Sequence, residues 1–560
     1  MNGGSAELGR LSEEFWQWRT ATQPDSYDDV TRVERPAGLL CDWSPDMIAR
    51  RRSALAGFTR RHGDMKLDAE PVATQVDAAL LGSALARVHW ELDLLRDWRR
   101  NPCFYLDQAL VPLYNLLLQP LPWPGTRGRE IVALLGHVPE VLEQARHNLI
   151  GHAAGPFARY ALRLLDSADE ALGTAMSALE PVLPAADAEG LAAATGAARR
   201  ALVGFREWLR EHLPTFTAPV GVGPDAFRYF LHRVALLPYS TSQLRDMGRQ
   251  EYARTAAAEL VLRRRYREAP QPPLLADTAR QVERQRRDER DVRAFLRRSG
   301  IIDLPDDLRH YHNAPMPAHL EPLTWLGVPH YIASAGRPLD DALRYLRPPR
   351  EDLPYFQRVE AYDPRVGVIH EGVHAWQSAL SLRHANPLRR HYYDSAANEG
   401  IAFHAEELVL QAGLFDGAPA SALSVVNAMR LRALRVEIDI GLAAGELSLE
   451  QAAARLAEQV PMDPGTAWEE AAFFAGHPGQ GLSYLTGKLQ IHGLLADAAQ
   501  RGGRAFRLDT FMGRLWREGN VPLALQRWEL LGDRGQLDAA EERGGDLDAS
   551  AVGLAEAAER

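Results

Sequence analysis

The chain has 560 residues, 25% of them charged and 46% hydrophobic, and only two cysteines. It is too apolar and too lightly charged for a disordered chain, and it carries neither collagen-like nor repeat-like bias. Lys+Arg 64 against Asp+Glu 74 leaves a net charge of −10, so there is no electrostatic footprint for nucleic acid or an anionic membrane, and neither is expected as a partner. Cys41 and Cys103 form no metal or redox motif, which suits a reducing compartment. The N-terminus (MNGGSAELGRLSEEFWQWR) lacks the pattern of a signal peptide. The most apolar stretch, Ala109 to Leu118, is short and broken by Pro112. These features lead to the expectation of a cytoplasmic protein.

Most of the sequence reads as helix. Ser83 to Arg99 places Leu85, Val88, Leu92 and Leu95 on one face, at the helical rather than the strand period. Val138 to Leu149, Phe157 to Leu172 and Leu191 to Leu213 behave alike, in sequence rich in Ala, Leu, Glu and Arg. Prolines and glycines punctuate these blocks, as at Pro120 to Gly128 and Pro214 to Gly223. Glu268 to Pro273 reads as a connector, and Asp277 to Arg298 as a solvated, highly charged helix. Gly300 to Pro364 is proline-rich, aromatic and aperiodic, with a short strand expected at Val328 to Ala333. From Gly532 the chain is acidic and rich in Ala and Gly, and is expected to fray or pack weakly. Arginine supplies almost all the basic residues; the two lysines are Lys66 and Lys488.

The informative segment runs from Val366 to Leu410 and contains His370-Glu371-Gly372-Val373-His374, an HExxH pattern. On a helix, residues four apart lie on one face, about 40° from eclipse, so both imidazoles can meet one ion. Glu371 stands beside the first histidine, where it can address a water without ligating. Zinc needs a third protein ligand and an open position for water, and Glu399, on the next helical segment, can supply that ligand. Glu406 lies nearly two turns beyond Glu399 and can support a histidine from outside the ligand set. The residues alone leave open a pair of structural histidines beside a surface salt bridge.

Several segments resemble the bacterial domain-of-unknown-function 885 family, read as gluzincin-like zinc metallohydrolases with a mostly helical, peptidase-like fold. Asn101-Pro102-Cys103-Phe104-Tyr105 is similar to its early Asn-Pro-x-x-Tyr element, and Val222-Gly223-Pro224-Asp225-Ala226-Phe227 to the segment before its middle helices. Asn398 to Glu406 is similar to its Glu-Gly-Trp-Ala-x-Tyr-x-Glu motif. Asp439-Ile440-Gly441-Leu442, Pro478 to Lys488 and Gly519-Asn520-Val521-Pro522-Leu523 resemble three later motifs. The resemblance implies one zinc ion held by His370, His374 and Glu399, with Glu371 as general base and Tyr484 as a hydrogen-bond donor to the developing oxyanion. A tyrosine packed in a helix interface is the alternative for Tyr484. The departures are a missing Pro-Gly before the second histidine, Ile401 for Trp, His404 for Tyr, Ala443 for His, and Phe473-Phe474 for Arg-Tyr. They keep the metal core and change the substrate side.

The expectation is therefore a mainly α, zinc-peptidase-like protein with two lobes around a deep cleft and at most a small β-sheet near the active site. Within a single integrated unit, residues 1–217 would form an N-terminal helical lobe, 218–531 a catalytic helical lobe with the HExxH site and 532–560 an acidic C-terminal tail. The expected activity is hydrolysis of an amide or peptide bond in a peptide or small amide. The alternatives are a metal-dependent tailoring enzyme for a small metabolite, by hydrolysis or elimination, and a non-catalytic helical binding protein. His404, Tyr331 and His477 are further candidates for the border of the site; His404, about 140° round the helix from Glu399, borders the site or faces the core.

Overall fold

Three long helices, Arg127–Leu149, Gly155–Leu179 and Ala185–His212, form where apolar residues recur every three or four positions. The first buries Ile131, Leu135, Val138, Leu142 and Leu149 along one stripe. In the computed structural model, which describes residues 3–25, 35–36, 38–270, 272–332 and 336–545, the protein is mainly α with one three-stranded sheet. The core around the long helices also takes in Leu388, Tyr392, Val521, Leu525 and Trp528, so residues 1–217 and 218–531 share an interior. A second core, with Leu231, Ile369, Trp376, Phe403 and Leu485, surrounds the histidine motif.

The helix expected from Ser83 to Arg99 does not run through. Val72–His89 is α, Trp90–Leu95 is wound as a π-turn, and Arg96 takes a left-handed conformation (φ 52°) before Asp97–Arg100 resumes. The break lets Trp98 turn back, its indole N–H donating to the Leu92 carbonyl at 3.0 Å. Asn101 then caps Pro102–Leu117 by accepting from the Cys103 N–H at 3.0 Å, and the Tyr105 hydroxyl donates to the Trp98 carbonyl at 2.5 Å. The Asn-Pro-x-x-Tyr element is thus a device for starting a helix.

The helix Thr278–Arg298 is solvated on one face only. Gln285, almost fully buried, donates to the Tyr311 carbonyl at 2.8 Å and accepts from the Asn313 N–H at 3.0 Å, covering the open edge of strand β1 (Tyr311–Pro315). Strand β2 is only His330–Tyr331, shorter than expected, and Ala333 lies outside the described residues. Strand β3 (Ala342–Leu346) is central, parallel to β1 and antiparallel to β2. Tyr311 and Ala342 face the second core while Tyr331 and Tyr345 face the first, so the sheet stands between them. In the expected connector, Gln271 lies outside the described residues.

The acidic end does not fray where it is described. Gly535–Gly544 is a helix that buries Leu537 and Ala540, and Arg543 Nε donates to the Pro238 carbonyl at 2.9 Å. The rest of the expected tail, residues 546–560, lies outside the described residues. No helix among the described residues is long and apolar enough to cross a membrane.

Candidate metal centre

Asp363 caps a short helical turn, Pro364–Gly367, by accepting from the Arg365 N–H at 3.1 Å. The chain then widens into a π-turn over Val368–Gly372 and tightens again into the α-helix Val373–Ser381. Val368, Ile369, Val373, Trp376 and Leu380 fill the second core, which directs His370, Glu371 and His374 to a cavity of about 1120 Å³. The HExxH pattern therefore spans a π-to-α junction rather than one regular helix, a distortion found at many functional sites.

The opposing helix Ser395–Gln411 starts at Asp394, whose carboxylate accepts from the Ala397 N–H at 2.9 Å. It packs against Gln480–Gly502 through two glycines. A Cβ on Gly400 would lie 2.6 Å from Gly487, and one on Gly487 would overlap the Ala396 carbonyl oxygen. This close approach brings Glu399 and Tyr484 to the same cavity.

Glu399 Oε2 lies 3.5 Å from His370 Nε2 and 3.3 Å from His374 Nε2. One ligand atom from each of the three residues falls within 4.8 Å of the others. Glu399 Oε2 is buried and has no hydrogen-bond partner. An orphaned carboxylate oxygen facing two imidazole nitrogens is a donor set that fits a zinc-like cation. Behind it, Glu406 Oε1 lies 2.6 Å from His370 Nδ1 and accepts from Arg432 Nη2 at 2.9 Å.

Charge in the site is tightly balanced. Burial and Arg432 push the His370 pKa down, but Glu399 and Glu406 override them and raise it to about 9. Burial opposes ionisation of Glu399, yet the two histidines hold its carboxyl well below the usual range. Glu371 Oε1 lies 3.3 Å from Arg344 Nη1 and its Oε2 lies 3.5 Å from His330 Nδ1. Against the effect of burial, Arg344, His330 and the two motif histidines lower the Glu371 pKa to about 2. Burial lowers that of His330 to about 4, in spite of Glu371. Arg344 also pairs with Glu360 at 3.0 Å, and burial raises the Glu360 pKa to about 7 despite that pair.

Tyr484 lines the cavity, with its ring beneath Arg435 at 4.7 Å and Arg432 at 5.5 Å. Tyr331 also lines it, but its hydroxyl donates to Asp340 Oδ2 at 2.8 Å, and the residue that reaches Glu371 is its neighbour His330. Successive strand residues point to opposite faces, so the two cannot share that role. His404 faces the core: it is 2% exposed, its ring meets that of His492 edge-on at 4.9 Å, and both its nitrogens lack hydrogen-bond partners. Burial, then His492 and Lys488, lower its pKa to about 3. His477 stacks on Phe473 at 4.5 Å and lines a separate cavity of about 200 Å³ with Asp97 and Asn101.

Sequence reasoning did not single out Arg344, Glu360 or Arg432. Arg344 had a readable signal, a charged residue within the short apolar run Ala-Leu-Arg-Tyr-Leu. Two of the motifs that resemble the family meet in space: Asp439 accepts from the Gly479 N–H and the Leu482 N–H, each at 2.9 Å, and fixes the start of the Tyr484 helix.

Comparison with known proteins bears on the fold and the family. The chain superposes on a protein from Shewanella oneidensis with a TM-score of 0.72 at 14% identity, covering 95% of this chain and 100% of that one. A protein from Colwellia psychrerythraea gives 0.73 at 17% identity, covering 96% and 99%. Each is described as a "putative lipoprotein", the first as one of unknown function. The expected cytoplasmic location is accordingly withdrawn: the fold is shared with proteins described as lipoproteins, and a low cysteine count fits either side of a membrane. No curated protein matches the chain. Residues 27–530 match the model of a family described as "Bacterial protein of unknown function (DUF885)", and the chain belongs to that family.

Proposed function

We propose that the protein is a zinc-dependent hydrolase that cleaves an amide or peptide bond. The observation that carries this reading is the convergence of His370 Nε2 and His374 Nε2 on the buried Oε2 of Glu399, which makes no hydrogen bond, with Glu371 beside them on the wall of a large cavity. Three protein donors with one side open to a cavity are the pattern of a catalytic rather than a structural zinc site. A bound zinc ion would supply a Lewis acid and lower the pKa of a water toward ~7.

The chain's own groups do the rest. Glu371 accepts a proton from the attacking water at its carboxylate and returns it to the leaving amine. Arg344 at one carboxylate oxygen favours the ionised form of Glu371, and His330 at the other helps to keep it in place. Tyr484 offers its hydroxyl to the oxygen that gains charge.

Elemental analysis and a screen of short peptides against small amides test the proposal, and the same screen separates peptidase activity from small-metabolite chemistry. Purified protein should hold about one zinc per chain, and Glu371→Gln should retain that metal while losing hydrolysis. Full activity in Glu371→Gln, or protein that binds no metal, sinks the reading.

A further inference from the structure

Of the seven arginines that line the same cavity, three neither touch the three candidate ligands or Glu371 nor have their charge fully matched: Arg127, Arg129 and Arg337. Gln119 Oε1 accepts from Arg127 Nη2 at 2.7 Å and from Arg337 Nη1 at 2.8 Å, so two guanidinium groups meet on one neutral oxygen. Arg127 is 5% exposed, and Glu130, whose carboxylate accepts from the Thr126 hydroxyl, comes no closer to it than 3.7 Å. Arg337 pairs with Asp340 through Nε at 2.5 Å, while its Nη2 has no hydrogen-bond partner among the described residues. Arg129 has neither an ion pair nor a hydrogen bond among the described residues. All three arginines line the cavity that holds His370, His374 and Glu399. The Arg127 guanidinium lies 5.9 Å from the Trp123 ring and donates from Nη1 to the Leu116 carbonyl at 3.4 Å, while that of Arg337 lies 5.8 Å from the Tyr331 ring.

We propose that Arg127, Arg129 and Arg337 form a carboxylate-binding subsite of the cavity, so that the amide substrate carries a free carboxylate. The proposal rests on the hydrolase reading for its substrate, while the subsite itself can be measured by binding. Two partly desolvated cations side by side repel each other, and an anion between them removes that repulsion. The planar fork of arginine matches a carboxylate with two parallel hydrogen bonds. Strand β2 joins the two ends of the cavity: His330 meets Glu371 and the next residue, Tyr331, lies under Arg337. A substrate held at the arginines is therefore held against the same strand that positions the base.

Calorimetric titration of the Glu371→Gln protein with N-acetyl-Ala-Ala as the free acid, and with its C-terminal amide, tests the subsite. The acid should bind at least about tenfold more tightly, the difference expected of a charge-assisted bidentate pair. Arg337→Gln and Arg127→Gln should each bring acid and amide to within about twofold of one another. If Arg127→Gln does not fold, Arg337→Gln and the exposed Arg129→Gln decide the matter. Equal binding of acid and amide, including no binding of either, overturns the proposal, as does an acid preference that survives in every variant. Inorganic phosphate is the control, and tighter binding of phosphate than of the peptide acid overturns the carboxylate assignment. An acid preference with no hydrolysis by the wild-type protein of any peptide or amide in the screen keeps the subsite and removes the hydrolase reading; hydrolysis without the preference does the reverse.

Discussion

Glu406 Oε1 lies 2.6 Å from His370 Nδ1, leaving His370 Nε2 as the ring atom that faces Glu399 and His374. Arg432 holds both carboxylate oxygens of Glu406, at 2.9 and 3.3 Å, so the orientation of the imidazole is set two residues deep. Such outer partners are worth 10- to 100-fold in metal affinity, by order of magnitude. Glu406→Gln should weaken zinc binding by about that factor while the protein stays folded, read by competition with a chromogenic chelator. Affinity equal to wild type would show that the Glu406 contact does not orient the ligand.

Glu360 and Glu371 share Arg344, and the pair gives stability a pH signature. The folded pKa of Glu360 is raised to about 7 from an ordinary value of 4.5, chiefly by burial. A carboxyl raised on folding contributes stability that is fully present below the unfolded pKa and is lost as pH climbs through the folded one. The window here is pH 4.5 to 7. Across it, wild type should lose about 3 kcal/mol relative to Glu360→Gln, which cannot ionise. Chemical denaturation of both proteins at pH 5 and pH 8 checks this, and a constant difference between them at the two pH values counts against it.

Gly400 and Gly487 set the spacing between the Glu399 helix and the Tyr484 helix. An alanine methyl at 487 would overlap the Ala396 carbonyl oxygen, and backbone cannot yield as a flexible side chain would. Overpacking of this kind costs about 1–3 kcal/mol or more. Gly487→Ala should therefore lower stability by at least that amount and also weaken zinc binding, because the two helices must separate. A thermal shift without loss of metal affinity would mean that Glu399 does not depend on this contact.

Much of the candidate metal centre was legible in the sequence because a spacing of four brings His370 and His374 to one side of a helix, here across a π-to-α junction. Glu406 was legible for the same reason. The groups that hold Glu371 were harder to read, because His330 and Arg344 come from strands too short for periodicity to register and from a segment rich in proline. Which residue of the two-residue strand β2 points at Glu371, His330 rather than the expected Tyr331, is set by pairing with β3. His404 illustrates the converse: a departure from the family pattern that drew attention by its chemistry sits behind the site and packs on His492. The break at Arg96 escaped detection because the apolar pattern continues across it while the backbone does not.

Lys488 is the second of two lysines in an arginine-rich chain, and its surroundings account for it. It is fully buried, with Nζ 2.5 Å from Glu251 and 2.7 Å from Glu407, and 4.4 Å above the Phe403 ring. Arg254 reaches the same two carboxylates at 2.7 and 3.0 Å from a half-exposed position, so a single compact ammonium completes the buried side of the network. Removing one partner of a buried pair strands the other and costs about 3–5 kcal/mol. Lys488→Met should destabilise by about that much, and Lys488→Arg should also destabilise, since a guanidinium is larger and carries its charge further out. Adding Glu407→Gln to Lys488→Met should recover a large part of the loss, because one stranded carboxylate disappears. Denaturant unfolding of the three variants reads these differences. Lys488→Met as stable as wild type would show that Arg254 alone satisfies Glu251 and Glu407.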